Sequence, residues 1–355
     1  MKKIITTVIL AGLLVSALSA YNPPVGAEDF DLLTSPANLS GANSVTGGAL
    51  FDAGANSIIV NPALAAKEQR VNLNVGYTFL YSTEKINESH IGMAAQSGIL
   101  IPFKLYIFTG YVDFVSAPFI EMHLGNSING KVGLAKEITE KLDVGLSASG
   151  GYAWVKDNKD WSLCGNVGAV YHFGNLGFLS DFRLAASALN LGKVYTKATR
   201  VGMDITAANS AFPTLATFKV GVAGTVLDKD VVRIGLGLDV TTPCFQNLIA
   251  DFNTQISIKR MFTISIGEKF NLMETIKGHY NVIPSVAFLF KFSFNVRNNQ
   301  YLESNGWSQS EMTVAAGYKN LYKTVHAISA GADLDLGMAD NDPPEIVLWN
   351  KEEKD

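Results

Sequence analysis

The chain is short of charge. Only 17% of its 355 residues are Asp, Glu, Lys or Arg, against about 25% in an ordinary soluble domain. Its two cysteines, Cys164 and Cys244, are too few for a disulfide framework and lack the CxxC spacing of a zinc site. The five histidines, His90, His123, His172, His279 and His326, are isolated, so no metal ligand set is expected. Gly145-Leu146-Ser147-Ala148-Ser149 misses the final glycine of a nucleophile elbow, and no phosphate-binding glycine loop occurs, so neither an enzyme nor a cofactor is expected. With a net charge of −4 and scattered lysines and arginines, there is no basic stripe for nucleic acid. Beyond residue 20 there is also no run of about 18 apolar residues, which excludes a spanning helix from the mature chain.

What the chain does have is 48% hydrophobic residues, 32 glycines, 20 phenylalanines and 12 tyrosines, an apolar content that excludes disorder. Lys2 and Lys3 precede an apolar stretch from Ile4 to Val15, and Ala17-Leu18-Ser19-Ala20 supplies small residues for cleavage. Residues 1–20 therefore read as a signal peptide, with the mature protein beginning near Tyr21. An uncleaved anchor is the alternative, although the apolar stretch is short for a span. No cysteine follows closely, which argues against a lipoprotein.

The next segment, 21–69, is not strand-like. From Ser35 to Ala66 it is rich in Ala, Gly, Asn and Ser. Ser35-Pro36 and Asn61-Pro62 each place a capping side chain before a proline at the first helical position, so two short helices joined by glycine turns are expected. So few large apolar side chains cannot form a core of their own, and the segment must pack inside something else.

Beyond Arg70 the period becomes two. Val71, Leu73, Val75, Tyr77, Phe79 and Tyr81 alternate with small or polar residues, and so do Val286, Phe288, Phe290, Phe292, Phe294 and Val296. Fourteen such segments are placed between 71–82 and 323–337, the third at 102–115. Several match the length a tilted strand needs to cross a bilayer. An even antiparallel set, apolar outside and polar inside, predicts an all-β fold: a transmembrane β-barrel of about fourteen strands over residues 70–338. A soluble sandwich would also alternate, with its greasy face inward. A fourteen-stranded barrel is too wide for its own side chains to fill. Residues 21–69 are the obvious plug.

Gly41-Ala42, Gly47-Gly48-Ala49, Asp52, Asn56 and Asn61-Pro62-Ala63, leading into the first strand, resemble the hatch of the long-chain fatty-acid transporter (FadL-type) family of outer-membrane barrels. Ala188-Leu189-Asn190-Leu191-Gly192-Lys193, then Phe212-Pro213-Thr214 and Phe218-Lys219-Val220-Gly221, are similar to spirochaete FadL-like barrels and, more distantly, to the PorV branch that serves type IX secretion. The resemblance implies an outer-membrane protein that accepts long-chain fatty acids or other hydrophobic molecules and releases them laterally through its wall. Its partners would be that ligand and outer-membrane lipid. The PorV side of the resemblance implies instead a secretion accessory, with a protein partner at the surface loops or the tail.

In the family the third strand carries the kink that opens the wall. Here that strand is apolar on both faces, which leaves Leu105, Ile107 and Tyr111 in the lumen, either as a ligand pocket or as packing for the hatch. Inward-facing positions also hold seven basic groups, Arg183 and Arg233 among them, against five acidic ones. A bidentate Arg contact would suit a carboxylate head group, and mutual ion pairing is the alternative. Two features depart from the family. The loop at Lys156 to Trp161 is short, and a charged tail, 339–355, follows the last strand and is expected to hang in the periplasm.

Overall fold

The computed structural model of the chain describes residues 32–86, 89–117, 125–155, 158–193, 216–243, 245, 247–276, 281–294, 310–321 and 323–336. The leader (1–20) and the tail (339–355) of the sequence reading lie outside them, as do Cys244 and most of the long segment between Leu191 and Pro213.

Alternation of large apolar with small or polar residues gives fourteen strands: β1 (Val71–Ile86), β2 (Ser89–Pro102), β3 (Ile107–Ser116), β4 (Asn126–Thr139), β5 (Leu142–Val155), β6 (Asn158–Leu176), β7 (Leu179–Lys193), β8 (Thr217–Asp228), β9 (Val232–Pro243), β10 (Ile249–Ile258), β11 (Phe262–Asn271), β12 (Ser285–Phe294), β13 (Ser310–Leu321) and β14 (Val325–Leu336). Each pairs antiparallel with its sequence neighbours, and β1 pairs with β14 from Val71↔Leu336 to Ser82↔Val325, closing the barrel. Closure leaves no sheet edge, which is what allows strands to sit in lipid.

The greasy face points outward. Val75, Ile91, Val132, Leu146, Leu163 and Ile328 are each more than half exposed on the isolated chain. The inward set is polar and covered: Asn72, Gln96, Asp113, Asp143, Asp239 and Gln255 are all buried. A soluble sandwich would show the reverse, so the barrel is the correct alternative. Aromatic pairs gather toward the strand ends, Phe103 with Tyr106 at 5.4 Å and Tyr152 with Trp154 at 5.7 Å, as in the girdles of membrane barrels.

One rim carries tight turns, such as those joining β4 to β5 and β6 to β7, and both ends of the barrel's chain. The other rim carries the longer connections. By the usual asymmetry of such barrels, the first rim is periplasmic and the second external.

The segment from Leu32 to Gln69 lies inside. Helix α1 (Pro36–Leu39) is capped by Ser35, whose Oγ accepts from the Asn38 N–H. Two 3₁₀ turns follow, Ala55–Ile59 and Pro62–Lys67, and the Asn61 side chain caps the second by accepting from the Ala63 N–H. Both Ser-Pro and Asn-Pro signals thus start helical turns, although the second is 3₁₀ instead of α. A further short helix, α2 (Leu272–Ile276), sits at the external rim after β11.

Candidate functional site: the hatch and the wall around it

The hatch follows the inside of the barrel and meets a belt of inward-facing glycines. Gly76, Gly98, Gly133, Gly145, Gly168, Gly221, Gly235, Gly267, Gly317 and Gly331 come from ten different strands, and a Cβ on any of them would press against a hatch atom. Added methyls would meet the Thr34 carbonyl at 2.6 Å from Gly76 and the Ala49 carbonyl at 2.5 Å from Gly235. At Gly145 and Gly168 they would overlap Pro62 and Asn61 outright. Glycine is needed here because the backbone of the plug occupies the space of a side chain.

An irregular segment buried in a barrel must find partners for its backbone groups. The inward polar residues supply them. Asp239 Oδ2 accepts the Val45 N–H at 2.7 Å, Gln255 Oε1 accepts the Leu50 N–H at 2.8 Å, and Asn72 Oδ1 accepts the Ala55 N–H at 2.9 Å. Ser187 Oγ donates to the Val60 carbonyl at 2.7 Å. Asn61 Nδ2 donates to the Val45 carbonyl at 2.8 Å, tying the hatch to itself. Leu33, Leu39, Ile58, Ile59 and Leu64 are at most 3% exposed. Burying each is worth about 1.5–3 kcal/mol, so hatch seating gains on the order of 10 kcal/mol from these five as an upper bound.

The hatch residues singled out by sequence now have places. Gly41, Gly47 and Gly48 all lie at positive φ (72°, 81° and 85°). At Gly48 even a Cβ would sit 2.5 Å from the Ala42 carbonyl, so the tight reversal there admits only glycine. Asn61, Pro62 and Ala63 are buried against β5 and β6. Asp52 is exposed toward the periplasmic rim, where it lines a polar recess of about 230 Å³ with Arg70, Lys291, Glu311, Asp333 and Asp335. Arg70 and Lys291 both pair there with Glu311, at 3.3 and 3.4 Å. Glu68 closes this side: its carboxylate accepts the N–H groups of Gln69 and Arg70 at 2.9 Å each. Burial pushes its carboxyl above the ordinary value, against the lowering effect of those two N–H groups.

Of the three apolar positions expected in the lumen, two face inward. Ile107 packs with Ala55, Ala65, Ala66, Leu100 and Ala135. Tyr111 lies against Ile58 and its neighbours, and its hydroxyl reaches Gln96 Oε1 (2.8 Å) and Thr34 Oγ1 (3.1 Å). Leu105 requires a correction. β3 begins at Ile107, not at 102, because Pro102 ends β2 and Phe103–Tyr106 form the turn, so Leu105 stands 59% exposed at the periplasmic rim. The ladder of β3 is unbroken on both sides, from Ile107↔Pro102 to Ser116↔Met93 and from Ile107↔Ala135 to Ser116↔Asn126. The kink implied for the third strand is therefore not present among these residues.

Arg183 is completely buried. Its Nε donates to the Thr46 carbonyl at 2.9 Å, Nη2 to the Gly48 carbonyl, and Nη1 to Asp181 Oδ2 at 2.8 Å, while the guanidinium lies 5.0 Å from the centre of the Phe51 ring. Every arm of the fork is thus occupied by the hatch or by Asp181. Arg233 pairs with Asp228 at 3.2 Å near the β8–β9 turn. The two arginines do not converge on a shared site.

On the lipid side of β2–β6 the wall has an apolar recess of about 610 Å³. Outward-facing Gly110, Gly130 and Gly150 line it, with Gly130 directly opposite Gly150, between the exposed side chains of Val112, Val132 and Leu163. Tyr111 and Lys131 line it from the inward set.

No protein-family model and no curated protein matches the chain. Solved structures do match in fold. The TodX monoaromatic hydrocarbon channel, in a deltaS2 mutant form, superposes with a TM-score of 0.52 over 88% of this chain and 100% of that one, at 11% identity. The toluene transporter TbuX of Ralstonia pickettii gives 0.51 over 87% and 100%, at 12% identity. At such identities the likeness establishes the fold alone, the closed fourteen-stranded barrel described above.

Proposed function

We propose that the protein is an outer-membrane channel for hydrophobic molecules, with long-chain fatty acids or compounds of similar apolar bulk as cargo and lateral release through the wall as the route. The observation that carries this reading is the pairing of a lumen occupied by a hatch with a greasy wall recess. An open porin passes polar solutes through a wide aqueous lumen, whereas here glycines on ten strands are occupied by a hatch. Beside that hatch, the recess at Gly110, Gly130 and Gly150 offers an acyl chain or ring a side-chain-free strip of wall. The likeness in fold to a monoaromatic hydrocarbon channel and a toluene transporter supports the same class of cargo.

The recess is the part to test. Filling it with Gly130→Trp should lower uptake of a radiolabelled long-chain fatty acid or toluene by cells producing the protein in a host stripped of its own hydrophobe channels. Retained heat-modifiable migration would show that the barrel still folds. Wild-type cells that take up neither compound above the empty-vector background would refute the reading. A protein that instead copurifies in stoichiometric amount with an intact, uptake-inactive barrel would favour the secretion accessory.

A further inference from the structure

Four strands, β10 among them, contribute no glycine to the belt that receives the hatch. Where β10 passes the hatch it turns Asn253 and Gln255 inward instead. On this side of the barrel one cavity lies above the hatch and another below it. The upper one, about 60 Å³, lies between the hatch at Gly41–Ser44 and strands β8–β11 and β13, and reaches the external rim at Glu274 and Leu321. The lower one is the polar recess of about 230 Å³ already described, which meets the periplasmic rim at Arg70 and Asp335. The two linings share a single residue, Asn43. They also adjoin on β10, where Asn253 belongs to the upper cavity and Gln255, the next inward residue, to the lower.

Both cavities suit water. At 10–15 Å³ per molecule there is room for roughly five waters above and roughly twenty below. In the upper cavity Asn253 Nδ2 and Oδ1 and Asp239 Oδ1 have no protein partner, although both residues are at most 5% exposed. Polar atoms so placed are satisfied by water. The lower cavity is lined by ionised side chains, which hold their hydration. Carboxylates outnumber cations in each, four against three above and five against three below, so the field along this side of the barrel favours positive ions. Asn43 stands between the two, 7% exposed. Its Nδ2 donates to Asn38 Oδ1 at 2.7 Å and to the Asn56 carbonyl at 3.2 Å. Turning the side chain away breaks both bonds, which favours the closed rotamer by roughly tenfold to a hundredfold.

We propose that the protein carries a second, polar passage: water and small monovalent cations cross the barrel along β10, past the seated hatch, with the Asn43 side chain as the constriction. The hatch stays in place and the wall stays closed, because a single side chain turns. This passage lies across the barrel from the recess of β2–β6, and it goes beyond the hydrophobe reading without resting on it.

The experiment is single-channel recording of the protein in planar bilayers under a potassium chloride gradient. A small mean conductance is expected, with the reversal potential showing potassium favoured roughly tenfold over chloride, the low end of what charge-lined clefts do to local ion concentration. Asn43→Ala should raise that conductance roughly tenfold or more, the factor by which the closed rotamer is held. Asn43→Leu should abolish it by drying the constriction. Both variants remove hatch hydrogen bonds, so amide exchange of 44–51 is read alongside, and a conductance that rises only together with that exchange overturns the proposal. A further variant probes the path directly. In a chain whose Cys164 and Cys244 are replaced by serine, Asn43→Cys should be blocked by silver ion added from either side, whereas the same chain with Asn43 retained should not. A silent wild type, a current that favours chloride, or a block reached from one side only overturns the passage. So does a current lost in Gly130→Trp, which would place the ion path at the recess. Wild-type cells that conduct potassium but take up no hydrophobe would remove the channel reading and leave this passage in place.

Discussion

Replacing Arg183 by methionine keeps most of the side-chain volume while deleting the guanidinium. In the protein that group is fully buried and serves two hatch carbonyls, Thr46 and Gly48. Each carbonyl left without a partner costs about 1–3 kcal/mol. The ion pair to Asp181 contributes little, because Asp181 is 48% exposed and stays solvated on its own. Contact of this buried cation with the Phe51 ring adds about 1–2 kcal/mol, and methionine recovers part of it. Taking the middle of each range, the sum is about 4 kcal/mol, a large share of the roughly 10 kcal/mol that apolar burial contributes to seating the hatch. It corresponds to a shift of several hundredfold or more in the seated-to-released equilibrium of residues 44–51. The barrel ladders do not depend on Arg183, so the effect should be local. Two measurements read it: amide hydrogen exchange of 44–51, which should accelerate, and single-channel recording in planar bilayers, where brief openings should become more frequent than in the wild-type protein. Unchanged exchange together with loss of fatty-acid uptake would refute this account and restore Arg183 to the head-group role weighed from its residue type.

Other perturbations test the same architecture. Gly168→Ala places a methyl on the Asn61 side chain, and a loss of about 1–3 kcal/mol in hatch stability is expected, read as faster protease cleavage near Asn61. Ala substituted at outward-facing Gly130, which has only the Tyr111 carbonyl at 3.8 Å nearby, should leave that cleavage rate unchanged. For Glu68 the sign runs toward acid. Its carboxyl is raised in the folded protein, so its contribution to stability is greatest below the ordinary carboxylate value and is lost as pH rises through the raised one. Denaturant release of the hatch should therefore become harder as pH falls through this range. Glu68→Gln should flatten that dependence, and a profile unchanged in the variant would show that another group is responsible.

Much of the fold was legible because a strand that separates lipid from a polar lumen has to alternate, and the fourteen segments do. The two Pro-containing caps at Ser35 and Asn61 were legible for a similar reason: each is a local signal that tertiary context did not override. The site was less so. Leu105 was misplaced because Phe103-Lys104-Leu105-Tyr106 is apolar enough to pass for strand, and nothing local announces that Pro102 ends β2. Arg183 drew attention as a cation in the lumen, but its partners are carbonyls of Thr46 and Gly48, more than a hundred positions away, and carbonyls leave no trace in residue type. In the sequence Asp239, Gln255, Asn72 and Ser187 carry no more signal than membership of the polar face, for the same reason. The inward glycines had a detectable signal, one on each of ten strands at the lumen parity, although which hatch atom each receives is a property of the closed barrel.

That belt of glycines also fixes a dimension. Between them the gaps in the wall meet one continuous segment at points from Thr34 to Ala63, so the hatch behaves as a gauge cut to one circumference. Adding or removing a hairpin, or sliding the closure of β1 on β14 by two residues, would carry several gaps out of line at once. The segment could then be neither stretched nor compressed to reach them all. Strand number and stagger in this protein are thus held by the contents of the barrel as well as by its ladders, and a mis-registered closure would be recognised by a hatch that fails to seat.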